Sequence, residues 1–238
     1  MGLADKRIVI LGGTSGIGLE VGKLAAAEGA QVVLASSKPS KVDAAKAAVP
    51  GAEGRLIDVL SEDRIKSLFT EIGPFDHLVY TAGESLLVEP LETLSLSRAQ
   101  AFFNVRFWGS FLAVKYAAPN IWPGGSIVLT SGMASRRPLA GLTAVSGVCG
   151  AGESLARALA VELAPLRVNA VCPGLVRTDL WNSFPAQERQ AMDEHAQQRL
   201  LVGRIGEAPE VAEAYLYLMK NGFSTGEVIV TDGGASVG

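Results

Sequence analysis

The chain has 238 residues, of which 48% are apolar and 19% charged, with a formal net charge of -3. Lys and Arg are scattered rather than clustered, which argues against a nucleic-acid or anionic-membrane surface and leaves small molecules as the expected partners. The apolar fraction fills a large core and leaves surface for another subunit to cover, so a homo-oligomer, a dimer or homotetramer, is expected.

The start, Asp5-Lys6-Arg7 before Ile8 to Leu11, has the charge of a secretory leader, but the apolar run ends at Gly12-Gly13 and is too short for one. It predicts a first buried strand. Further β-branched runs follow at Gln31 to Ala35, Gly54 to Ile57, His77 to Tyr80, Ser126 to Thr130, Val168 to Val171 and Val228 to Val230, alternating with Ala-rich segments of helical period. Strands apolar on both faces and joined by long crossovers predict an α/β fold, a doubly wound, seven-stranded parallel sheet (Rossmann-like) with helices on both faces. No linker divides residues 1–238, so one domain is expected, with 174–206 as a substrate lid carrying a short helix near Ala186 to Leu201. Cys149 and Cys172 form no CxxC pair, and His77 and His195 stand alone, so no disulfide framework and no metal site is indicated. No apolar stretch approaches the length of a membrane span, and the thiol usage fits a reducing, cytoplasmic setting.

Gly12-Gly13-Thr14-Ser15-Gly16-Ile17-Gly18 follows the first strand and opens a helix. Glycines there let the backbone turn tightly and approach a pyrophosphate lying on the helix N-terminus. No GK[ST] follows, so this is not the nucleoside-triphosphate loop, and a glycine-rich turn without a ligand is the alternative. Asp58-Val59 comes after the third strand, Ala82-Gly83 after the fourth, and Pro173 to Thr178 after the sixth. Arg157 to Leu163 precedes Arg167 to Val171, and the chain closes on Thr225-Gly226-Glu227 and Asp232-Gly233-Gly234.

In this order and spacing the chain resembles the short-chain dehydrogenase/reductase family over nearly its whole length. The resemblance implies a nicotinamide dinucleotide held by Gly12, Thr14, Ser15, Gly16, Ile17 and Gly18. It also implies that Asp58 and Val59 meet the adenine, Ala82 and Gly83 the adenosine half, and Val176 and Thr178 the nicotinamide end. Capping of the helices that follow is the alternative for Asp58 and Thr178, and the ordered combination of motifs favours ligand contact. The second strand ends in Ser36-Ser37-Lys38 without the acidic residue that grips a ribose 2'-hydroxyl, which favours NADP(H) over NAD(H). Hydroxyls and an ammonium suit a 2'-phosphate, although Lys38 before Pro39 also reads as a solvated turn charge.

The family's reaction implies a Tyr and a Lys one helical turn apart, with a Ser that bonds the substrate carbonyl and an Asn completing the set. The register set by Arg157 to Leu163 puts Val145 at the Tyr position, Cys149 at the Lys position and Gly132 at the Ser position. Ser131 is expected to face the other side of its strand. Gly109 and Phe111-Leu112 put Arg106 at the Asn position, with Asn104 as the alternative if the helix slips by two residues. Val145 carries no proton to transfer, and loss of general acid-base help costs on the order of 100- to 10,000-fold in rate. A Cys149 thiolate has the wrong sign to replace an ammonium, so a small buried helix residue is the preferred reading of that position. Ser131, Thr143, Ser146 and Arg106 are the substitutes in reach, and an Arg can steady an oxyanion without exchanging a proton. Leu86, Met133, Leu175 and Trp181 would make an apolar pocket beside the nicotinamide, or serve as lid or core. Two functions follow: an NADP(H)-dependent oxidoreductase with a rearranged site acting on an unidentified carbonyl or alcohol, or a catalytically silent nucleotide sensor or partner subunit docking through helices 98–118 and 146–164.

Overall fold

The computed structural model describes residues 2–179, 181 and 185–238. In chain order, β1 (Arg7–Leu11), α1 (Gly16–Ala27), β2 (Gln31–Ser36), α2 (Pro39–Ala48), β3 (Glu53–Leu56), α3 (Glu62–Ile72) and β4 (Phe75–Tyr80) form the first half. Then α4 (Leu96–Phe103) runs through a π turn at Asn104–Trp108 into α5 (Gly109–Ala117), followed by β5 (Ile121–Thr130), α6 (Thr143–Glu162) and β6 (Arg167–Pro173). The chain ends with β7 (Val176–Arg177), α7 (Ala186–Arg199), β8 (Gly206–Glu207), α8 (Ala208–Lys220) and β9 (Val228–Thr231). Among the described residues the main sheet has seven parallel strands in the order β3-β2-β1-β4-β5-β6-β9. This is the doubly wound Rossmann-like sheet expected. The order reverses between β1 and β4, and the crevice at such a switch point is where α/β sheets of this kind bind nucleotides.

Alternation along the strands assigns each side chain to one of two cores. Val9, Leu11, Leu78, Tyr80, Ile127 and Leu129 are buried with Phe69 of α3, Ala113 of α5 and Ala156 of α6. Ile8, Ile10, Val79 and Val128 are buried on the opposite face with Val21 of α1 and Ala212 and Tyr215 of α8. Each fully buried Leu, Ile or Val contributes about 1.5–3 kcal/mol relative to exposure, so both faces must be covered for the sheet to persist. β5 starts earlier than expected, because Ile121 pairs with Phe75 before Trp122 to Gly125 bulges out and the ladder resumes at His77 and Ser126.

The Arg167-Val168-Asn169 stretch has a structural explanation. The Arg167 guanidinium donates to Leu218 O at 2.7 Å and Met219 O at 2.9 Å, capping the carbonyl end of α8, where a cation also suits the helix dipole. Asn169 donates to Ser224 O at 2.9 Å and accepts from Glu227 N at 3.0 Å, which seats β9 against β6.

His77 is buried on β4, its Nδ1 2.9 Å from Ser126 Oγ. Burial holds its pKa down at about 4, with Arg167 and Lys6 adding to the effect and Asp76 opposing it. The native state therefore keeps this imidazole neutral, while the unfolded chain takes up a proton below about pH 6.5. Stability from this group is complete above that pH and is lost as pH falls toward 4, amounting to about 3 kcal/mol at most. We expect the urea midpoint of His77→Asn to fall less between pH 7 and pH 4.5 than that of the unaltered chain; equal falls would show that His77 does not drive the acid limb.

The segment 174–206 is tied at both ends, since β7 and β8 pair through Val176 with Gly206 and Arg177 with Glu207. Its helix α7 ends at Arg199, slightly short of the expected Leu201. Trp181, Ala196 and Ile205 form a small core of their own, with Leu175, Met192 and Leu200 packed against it.

Candidate functional site

The glycine loop joins β1 to α1 at the switch point. Gly12 adopts φ 88, and a Cβ there would lie 2.6 Å from the Thr81 carbonyl carbon; one at Gly18 would lie 2.5 Å from Gly12 O. Both positions thus require glycine for close backbone packing between β1 and the end of β4. Thr14 is buried, and Ser15 caps α1 in an extended conformation without a side-chain cap bond, so first-turn amides of α1 remain available to an anion. Ile17 packs against the core beneath the loop. This cradle suits a pyrophosphate.

The remaining expected cofactor residues are placed as follows. Thr178 lies against the loop, its Cβ 3.3 Å from where a Gly16 Cβ would be. Val176 is buried in the core, so a ligand would meet its backbone only. One Asp58 carboxylate oxygen accepts from Leu60 N at 3.0 Å in a turn ahead of α3, and Val59 is a core residue. Ser36 Oγ is 3.5 Å from Lys38 N, while Ser37 and Lys38 are exposed at the end of β2. Ala82 and Gly83 follow β4, and Gly83 lies under Arg106.

The π turn after α4 places Asn104 and Arg106 differently. Its extra residue per turn rotates the helix, leaving Asn104 exposed and swinging Arg106 inward to the carboxyl end of the sheet. A Cβ on Gly83 would be 2.7 Å from Arg106 Nη1. Nη2 donates to Glu84 O, the guanidinium lies 4.6 Å from the centre of the Phe102 ring, and Nε is buried with no hydrogen-bond partner. Burial lowers the Arg106 pKa, opposed by Cys149, Tyr80 and Glu84, but an Arg stays charged at neutral pH.

Cys149 and Gly132 meet, since a Cβ on Gly132 would lie 3.2 Å from Cys149 Sγ. Burial pushes the Cys149 thiol up to about 11, with Arg106 pulling the other way, so the thiolate is scarce at neutral pH. Arg106, Cys149, Thr81, Ala82, Ser110 and Ser131 line a cavity of about 30 Å³, large enough for a water. Tyr80 also borders it, but its hydroxyl donates to Val105 O and burial raises its pKa, so it is no stand-in for an accessible phenol. Val145, in contrast, is sealed in an apolar cluster with Leu87, Phe102, Ala134, Ala144 and Val148.

One expectation needs correction. Ser131 does not face away from the site: its hydroxyl is 3.1 Å from Cys149 O and 3.1 Å from Glu153 Oε1, on the α6 side. Thr130 takes the opposite face through Tyr215, and the pleat then breaks where a 3-10 turn begins at Met133, so Ser131 and Gly132 both abut α6. Of the two readings open for Leu175 and Trp181, their packing within the 174–206 segment agrees with lid or core, while Leu86 is exposed. Of the other substitutes, Thr143 is exposed and Ser146 Oγ is buried without a partner.

Sequence reasoning missed Glu153. Eight residues beyond Val145 on α6, this buried carboxylate accepts from Ser135 at 2.7 Å as well as Ser131 and lies 3.5 Å from Arg136. It fastens the loop after β5 to α6. The signal was an acid at i+4 from Cys149 on a face otherwise small and apolar. Among the described residues, no group of three or more His, Cys, Asp or Glu is arranged to hold a metal, and no helix is long and apolar enough to cross a membrane.

Comparison with known proteins agrees with this architecture. Residues 12–236 match the family model described as Enoyl-(Acyl carrier protein) reductase. The chain is 34% identical to the short-chain dehydrogenase/reductase malC of Malbranchea aurantiaca, covering 98% of this chain and 95% of that one. It is 32% identical to the 3-oxoacyl-[acyl-carrier-protein] reductase of Mus musculus, covering 97% and 98%. Among solved structures, a small-chain dehydrogenase in complex with NADPH superposes with a TM-score of 0.88 at 38% identity, covering 98% of this chain and 100% of that chain. The MalC Reductase/Diels-Alderase from Malbranchea aurantiaca gives 0.91 at 33% identity, covering 98% and 97%. With its sheet order, glycine cradle and full-length relatives, the chain belongs to the short-chain dehydrogenase/reductase family of oxidoreductases.

Proposed function

We propose that this protein binds NADP(H) in preference to NAD(H) and reduces a carbonyl substrate in a site where Arg106 steadies the developing oxyanion and water supplies the proton. The observation that carries this reading is the inward guanidinium of Arg106, with a buried, unpartnered Nε beside Gly83 and the cavity at Cys149. Preference for the phosphorylated cofactor is supported by the missing acid after β2 and by the NADPH-bound relative.

The glycine loop and the α1 N-terminus hold the pyrophosphate, and Thr178 borders the same loop. Bound NADPH supplies a hydride to the carbonyl carbon. Arg106 steadies the negative charge that develops on the carbonyl oxygen, and that oxygen then takes its proton from water. Arg106, Gly132, Val145 and Cys149 stand, on this reading, where the family carries Asn, Ser, Tyr and Lys. The segment 174–206 acts as a lid, and exposed Trp108 and Phe111 mark a surface for a homo-oligomer to cover.

Titration with NADPH and NADH, followed by NADPH consumption across a carbonyl panel, tests the proposal. We expect NADPH to bind at least about tenfold tighter, the difference one charge-assisted contact provides, and to be consumed. Failure to bind either dinucleotide would overturn it. Tight binding with no consumption would favour the second reading, a silent nucleotide sensor or partner subunit, which the sealed side chain of Val145 and the uncharged Cys149 support.

A further inference from the structure

We propose that Tyr80 is a positioning residue: its hydroxyl holds the π turn at Asn104–Trp108 in place and so aims Arg106 at the substrate oxygen. This rests on the reading of Arg106 as the group that steadies the oxyanion, and it names what keeps that side chain ready.

An extra residue in a helical turn disturbs the regular ladder of carbonyls and amides, and such turns persist where a side chain steps into the ladder. Here Gly109 N donates to Asn104 O, the wide spacing of a π turn, and hydroxyls meet two of the carbonyls between them. Val105 O accepts from the Tyr80 hydroxyl, and Phe107 O accepts from Ser110 Oγ at 2.8 Å. Ser110 lies three residues beyond the carbonyl it meets and moves with the helix. Tyr80 is different, because it is the buried last residue of β4, paired with Leu11 of β1, and so ties the turn to the central sheet. Gly109 makes room for the phenol, since a Cβ there would collide with the Tyr80 hydroxyl. Burial keeps that phenol protonated, so it remains a donor at working pH.

Val105 directly precedes Arg106, so this bond fixes the backbone from which the guanidinium projects. The side-chain contacts of Arg106 do not supply that anchor: Glu84 lies in the exposed stretch after β4, Phe102 belongs to α4 just ahead of the same turn, and Nε has no partner. Tyr80, Ser110 and Arg106 border one small cavity, which places the clamp beside the group it serves. A π turn that relaxes to a regular α-helix shifts register by one residue, a rotation of about 100°. That rotation would carry Arg106 off the cavity while leaving the glycine loop untouched.

The test is Tyr80→Phe, which keeps the ring and removes the donor, made in the full chain alone and together with Arg106→Met. Alone it is expected to lower kcat for carbonyl reduction by about 10- to 100-fold, with KM and the NADPH Kd within about threefold. In the Arg106→Met background the same change should cost less than about twofold, because residues that act as one unit are not additive. Independently of turnover, amide hydrogen exchange at Gly109 should speed up by about tenfold while the amides of β1 keep their protection. If the unaltered chain reduces no carbonyl, or Arg106→Met turns over as fast as it does, the reading of Arg106 fails and this proposal with it. Should Arg106→Met be impaired and Tyr80→Phe retain full kcat or unchanged exchange at Gly109, only this proposal is overturned. Equal losses from Tyr80→Phe in both backgrounds would likewise overturn it by showing that Tyr80 merely supports the fold.

Discussion

Replacing Arg106 with Met is expected to lower kcat/KM for NADPH-dependent carbonyl reduction by about 100- to 1,000-fold, the usual cost of removing one preorganised oxyanion donor. The NADPH Kd should stay within a few fold, because the glycine loop, Ser15 and Thr178 are untouched. Arg106→Lys keeps a charge but loses the planar fork and its seat 4.6 Å from the Phe102 ring centre, so an intermediate loss is expected. The same site should give a pH–rate profile without a break between about pH 6 and 9. Cys149 titrates near 11, and the buried Tyr80 phenol and the Arg106 guanidinium stay in one protonation state across that window. Turnover by Arg106→Met equal to that of the unaltered chain, or a profile breaking near neutrality, would remove Arg106 from the chemistry.

The second large effect is a gain. Restoring the family set by Gly132→Ser, Val145→Tyr and Cys149→Lys should create general acid-base reduction, but the packing around those positions limits what the triple change achieves. A serine at 132 places its Cβ only 3.2 Å from Cys149 Sγ, so the side chain at 149 must give way slightly. A lysine at 149 would then bring an ammonium to the Arg106 guanidinium, a like-charge contact in a poorly solvated pocket. A tyrosine at 145 must open the cluster around Leu87 and Phe102, at a cost of about 1–3 kcal/mol. We therefore expect the triple variant to gain little and the quadruple variant with Arg106→Asn to gain about 100- to 10,000-fold over the unaltered chain on the same carbonyl. A quadruple variant that folds and binds NADPH yet reduces nothing faster would show that Val145 and Cys149 do not occupy the Tyr and Lys positions.

The sheet was readable because Ile8 to Leu11, His77 to Tyr80 and Val168 to Val171 are apolar on both faces, a pattern that parallel strands between helices need. The glycine loop was readable because the close approaches at Gly12 and Gly18 leave no room for a side chain. Legibility faded where structure depends on rotation rather than composition. Asn104 and Arg106 could not be separated without the π turn, and Ser131 was turned the wrong way because strict alternation ends as the chain leaves β5. Glu153 gave little signal, since an acid on a helix usually faces water, and only the Ser131 and Ser135 hydroxyls give it a role. The apolar surface of Trp181 fits a pocket or a lid core equally well, and only the fold shows it packed with Ala196 and Ile205.

Because Val176–Arg177 and Gly206–Glu207 hydrogen-bond to each other, everything between them leaves and re-enters the body through one stitched doorway. A lineage can change the length of that stretch between its paired ends while Thr178 stays beside the glycine loop and Val202 N keeps its bond to Gly233 O. For an engineer, the same seam supplies two cut points at which a donor segment from a relative can be spliced with its ends already paired.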